Sequence, residues 1–117
     1  MKTVCQVVFD YINEVPVGDF VIRQELLKRV MLNDIERLGL DPNKTYKFPS
    51  SYTTVDCYRK FFQYNNILSD SDGSGRYIKL HKIPEGVTFA EIKRRSWKDP
   101  LFKSNTTGIF EGLQEYL

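Results

Sequence analysis

Histidine, tryptophan and cysteine are scarce in this sequence, at one, one and two residues. The single histidine, His81, cannot build a histidine metal cluster, and it pairs with no evident nucleophile. Cys5 and Cys57 give neither a disulfide framework nor a metal-ligand spacing. Gly73 and Gly75 lie among serine and aspartate rather than before a Lys-Ser or Lys-Thr pair, which excludes a phosphate loop. No stretch approaches the roughly 18 apolar residues of a membrane helix. The segment Met1–Gln6 turns polar too early for a secretory signal, so the expectation is a reduced, cytoplasmic protein with no membrane partner. Together these absences leave no catalytic residue, no metal and no cofactor to name, and they argue against an enzyme.

What is present suffices for one core. The chain has 117 residues, 41% of them hydrophobic, with a formal net charge of +2. That is a single-domain length, too apolar and too weakly charged for disorder throughout. The small net charge is a cancellation. Residues 1–75 sum to −1, residues 76–103 carry +5 and residues 104–117 return −2. A local excess of this size is a candidate phosphate-facing patch, and the competing reading is a strand and helix kept soluble by lysine.

Hydrophobic spacing predicts a helix over Thr3–Glu14 carrying Val4, Val7, Val8, Tyr11, Ile12 and Val15, stopped by Pro16. A short strand Phe20–Ile22 follows, then a helix from Arg23 whose C-cap is Gly39, either continuous or broken near Asn33–Asp34. Residues 40–51 read as loop, and a third helix starts between Ser51 and Thr53 with Val55, Tyr58 and Phe62 inward, ending at Asn65–Asn66. Ile67–Ser69 and Arg76–Ile83 read as a hairpin around Asp70–Gly75, with Ile78 and Leu80 inward and Tyr77, Lys79 and His81 outward. Thr88–Glu91 matches a capping box for a short helix to about Arg95, after which Trp97, Leu101 and Phe102 look like anchors in irregular chain. Ile109, Phe110, Leu113, Tyr116 and Leu117 form a last helical stripe, to be packed on the first helix or on a second copy as a homodimer contact.

The order helix, short strand, helix, helix and hairpin resembles a winged helix-turn-helix domain. The residues that carry the resemblance are Ser51–Leu68 as recognition helix and first wing strand, Asp70–Leu80 as wing and return strand, and Gly18–Leu27 as the strand leading into helix 2. It covers residues 3–83, and the connection between helices 2 and 3 is longer than the 3–4 residues of a tight helix-turn-helix. The implied fold is α+β, mostly α: a three-helix core with a β-hairpin wing over residues 1–83 and a C-terminal helical extension over 84–117. The implied partner is double-stranded DNA, bound by a non-enzymatic regulator of transcription or of another DNA transaction.

On helix 3 the residues opposite the core positions are Thr53, Asp56, Cys57, Lys60 and Tyr64, flanked by Thr54, Arg59 and Gln63. Thr53, Thr54, Arg59 and Lys60 are the candidates for base edges and phosphates, whereas Asp56 opposes contact. Arg76, Lys79 and the cluster Lys93, Arg94 and Arg95 are the candidates for backbone phosphates. Aromatic and basic residues also interleave on helix 3, a pattern that serves base stacking; core spacing claims most of these rings, with Phe61 and Tyr64 nearer the outside. The alternative to DNA binding is a protein-interaction module of the same fold, docking through its aromatic surface or the C-terminal stripe.

Overall fold

The computed structural model describes residues 2–44 and 49–102, with residues 49–51 described by backbone alone. Among them are four helices and a two-stranded antiparallel sheet: α1 Val4–Glu14, β1 Phe20–Ile22, α2 Arg23–Leu38, α3 Pro49–Tyr64, β2 Arg76–Ile78 and α4 Phe89–Lys98. The fold is α+β and mostly helical. No helix among the described residues is long and apolar enough to cross a membrane. The C-terminal stripe at 109–117, with its expected packing or dimer role, lies outside the described residues.

Local chemistry explains the element ends. Thr3 caps α1 by accepting from the Gln6 amide, and Thr88 caps α4 by accepting from Glu91. Helix α2 runs unbroken through Asn33–Asp34 and ends on Gly39 in left-handed geometry, where the Leu40 amide reaches back to the Ile35 carbonyl. Helix α3 ends in the same way on Asn66 (φ 61°), with the Ile67 amide donating to the Phe62 carbonyl. It begins at Pro49, earlier than its hydroxyl-rich stretch suggests; proline suits the first helical turn, where its missing amide costs nothing.

The core collects Val8 and Ile12 from α1, Leu26 and Val30 from α2, Val55 and Phe62 from α3, Val21 from β1 and Ile92 from α4, all fully buried. Each such side chain contributes about 1.5–3 kcal/mol by leaving water. Helix α4 joins through rings: Phe89 meets Tyr58, Phe61 and Phe62 at centroid distances of 5.1, 6.0 and 6.1 Å. Phe61 therefore lies inside, facing α4, and not on the outer face. Helix α4 also runs to Lys98, so Trp97 is helical rather than in irregular chain.

The sheet departs from the expected hairpin. Strand β2 pairs with β1, in the register Phe20↔Ile78, Val21↔Tyr77 and Ile22↔Arg76. Residues 67–69 run alongside with one bridge, Leu68↔Lys79, because the Ser69 hydroxyl takes the Ile78 amide that a backbone carbonyl would hold in a regular ladder. The two faces are also exchanged relative to the sequence reading: Tyr77 and Lys79 are buried and Ile78 is exposed. A one-residue phase difference inverts every side chain of a strand. Polar anchors fix this phase. Tyr77 lies under the Arg59 guanidinium at 4.5 Å, and the Lys79 ammonium donates to the Asn13 carbonyl in the last turn of α1 at 3.1 Å. A cation is favoured at that negative helix end.

Two asparagines tie the far side together. Asn65 is fully buried; its amide donates to the carbonyls of Phe61 and Ile92, and its oxygen accepts from the Leu101 amide, joining α3, α4 and the following chain. Asn66 donates to the Phe102 carbonyl, and the Phe102 ring stacks on His81 at 4.1 Å. Replacing Asn65 by Ala leaves buried partners unsatisfied, and the expected loss is about 2–3 kcal/mol of unfolding free energy. Urea denaturation of wild type and variant measures it, and a change under about 0.5 kcal/mol, the size of an ordinary surface substitution, contradicts this role.

Candidate nucleic-acid interface

Helix α3 presents one line of side chains to solvent, with Tyr52 to one side near its start. Thr53, Cys57, Lys60 and Tyr64 are exposed along one line of the helix and Tyr52 beside its start, while Thr54, Asp56, Tyr58 and Gln63 are half-buried. Helix α4 covers one flank of this arc through Phe89 and Trp97, and a polar network covers the other.

That network centres on Asp56. Its carboxylate takes a two-pronged contact from Arg23 at the start of α2, at 2.9 and 3.0 Å, and a further bond from Arg59 one turn along α3. Arg59, only 6% exposed, also donates to Gln63, whose amide in turn donates to Asp70 after α3. The Arg23 hydrogen bonds, reinforced by the charge of Arg59, hold the Asp56 carboxyl below its usual range and raise the Arg23 pKa. Asp56 is thus committed to an internal ion network and presents no free carboxylate to a ligand.

The other candidate cations divide sharply. All seven arginines are in ion pairs: Arg23, Arg29, Arg37, Arg59, Arg76, Arg94 and Arg95. Arg76 is held by Asp72 and Ser74 and lies 4.9 Å from the Phe20 ring centroid. Bonds from Ser74 and the nearby Arg76 pull the Asp72 carboxyl down to about 2, and the 70–75 loop holds a second acidic residue, Asp70. Arg94 and Arg95 both bind Glu91, at 2.6 and 2.5 Å, and Arg95 also reaches Asp99. Lys79, 2% exposed, is internal, and burial lowers its pKa. By contrast Lys28, Lys44, Lys60, Lys82, Lys93 and Lys98 are exposed and make no ion pair among the described residues.

Of the nine residues singled out from sequence, the structure therefore presents Thr53, Lys60 and Lys93 freely to solvent and Thr54 in part. It turns Arg59 and Lys79 inward, and it ties Arg76, Arg94 and Arg95 to carboxylates. An open groove of about 560 Å³ runs beside the arc, lined by Arg59, Lys60, Gln63, Tyr64, Asn66, Asp70, Ser71, Tyr77 and Ser96. No group of three or more potential metal ligands exists among the described residues. Sequence reasoning missed Arg23, 33 positions from Asp56, because no local pattern joins them. It also missed the exposure of Trp97, which i, i+4 spacing from Lys93 on an amphipathic helix can suggest. No family model, curated protein or solved structure matches the chain.

Because the folded pKa of Asp56 lies below the ordinary value of 3.8, its stabilisation is present above that pH and is lost as pH falls through the folded value. Asp56→Asn is expected to cost about 2–4 kcal/mol at neutral pH, since it leaves Arg59 buried without its counter-charge, and to flatten the loss of stability between pH 5 and 2. Urea titrations across that range measure both effects; a variant that keeps the wild-type acid slope contradicts the assignment.

Proposed function

We propose that the chain is a non-enzymatic DNA-binding domain of winged-helix type, regulating transcription or another DNA transaction, that lays the exposed arc of α3 against duplex DNA. Supporting the fold reading are the order α1, β1, α2, α3 and β2, the antiparallel pairing of β1 with β2, and the loop 70–75 projecting between residues 67–69 and β2. The observation that carries the functional reading is the free arc Thr53–Cys57–Lys60, whose neighbouring carboxylate Asp56 is already neutralised by two arginines. Thr53 meets bases or phosphates, and Lys60 meets phosphate. Lysine, not arginine, supplies the available charge. The acidic 70–75 loop stays clear of the phosphates.

The second reading is a protein-interaction module of the same fold. It is favoured by the outer face of the sheet, where Phe20, Ile22 and Ile78 are exposed together. The two readings separate on salt. Duplex binding followed by anisotropy should weaken steeply as salt rises from about 50 to 200 mM, and Lys60→Glu should lower affinity about tenfold and make the log–log slope shallower by about one. Absence of duplex binding at micromolar protein and low salt overturns the DNA reading.

A further inference from the structure

We propose that Tyr64 and Trp97, with Lys60 and Lys93, form a stacking platform for an unpaired DNA strand next to the duplex contact on α3; the inference rests on the nucleic-acid reading above. Trp97 is the only tryptophan of the chain, and 65% of it is exposed, whereas burial is the usual fate of so large an apolar ring. Tyr64 is 48% exposed, and the two rings face solvent side by side with centroids 6.1 Å apart, tilted by 48°. Trp97 does not hang loose. Phe61, which is buried, meets it edge to face at 5.9 Å and fixes it from beneath.

The charges repeat the arrangement of the rings. Tyr58 meets Phe89 and Tyr64 meets Trp97, so both ring pairs bridge α3 and α4. Lys60 precedes Tyr64 by four residues and Lys93 precedes Trp97 by four, which puts each lysine one turn back from its ring on the same face. Both lysines are exposed and make no ion pair among the described residues. Two exposed rings flanked by two exposed cations match a strand whose bases are unstacked and whose phosphates run past them. Paired bases keep their faces stacked inside the helix and cannot use such a surface. Gln63, Ser71 and Ser96 give the adjoining groove a polar lining.

Because Trp97 is the sole tryptophan, its own emission reports the contact. Titrating the full chain with an oligothymidylate should give a saturable loss of tryptophan emission that follows the anisotropy of the labelled strand. Titrating with a blunt duplex should bind without that loss. Trp97→Leu should lower oligothymidylate affinity about tenfold, as expected for one lost stacking contact, while duplex affinity stays unchanged and certifies the fold. Binding of the oligomer without loss of emission overturns the platform, as does no oligomer binding alongside intact duplex binding. Loss of emission with the oligomer but no duplex binding upholds the platform and sinks the duplex reading; binding to neither sinks both.

Discussion

The placement of α3 depends on one carboxylate, Asp56, shared between Arg23 at the entry to α2 and Arg59 on α3 itself. Hydrophobic contacts alone bring α3 to the core, but they are non-directional and tolerate rotation of a helix about its axis. The fork of Arg23 on Asp56 is directional, and Arg59 lies on the Tyr77 ring of β2. The three elements are thus locked in one rotation. That rotation decides which side chains of α3 water reaches most fully, and among those described they are Tyr52, Thr53, Cys57, Lys60 and Tyr64.

The same division between inward and outward charge holds across the described residues. Arginine has a rigid planar fork that suits fixed carboxylates and aromatic faces, and every arginine here is used that way. Lysine is a flexible point charge, and apart from Lys79 and the Asp10-bound Lys2 the described lysines remain free at the surface. A basic stretch of +5 is therefore a poorer guide to a binding surface than its lysine content. On α4, Glu91 and Asp99 cancel Arg94 and Arg95, and Lys93 and Lys98 carry what is left.

Most of the helical frame was legible because it follows local rules. The stripe of α1, the Gly39 cap, the Asn65–Asn66 stop and the Thr88 capping box each depend on residues within one or two turns. Strand phase was not legible. Ile78 and Leu80 looked like core in isolation, yet Tyr77 and Lys79 turn inward because their partners, Arg59 and the Asn13 carbonyl, come from elements remote in sequence. The site suffered from the same limit. Lys60 and Thr53 follow from helical geometry, whereas the withdrawal of Arg59 depends on Arg23 fixing Asp56 from 33 residues away.

Cys57 offers a direct view of the surface at issue, since it lies on the exposed arc of α3 while the half-buried Cys5 lies on α1. The decisive measurement is the alkylation rate of each thiol in the unmodified protein, read by mass spectrometry with and without saturating duplex DNA. If α3 lies against the duplex, Cys57 slows severalfold and Cys5 does not change. Equal rates at Cys57 with and without bound DNA would contradict the account.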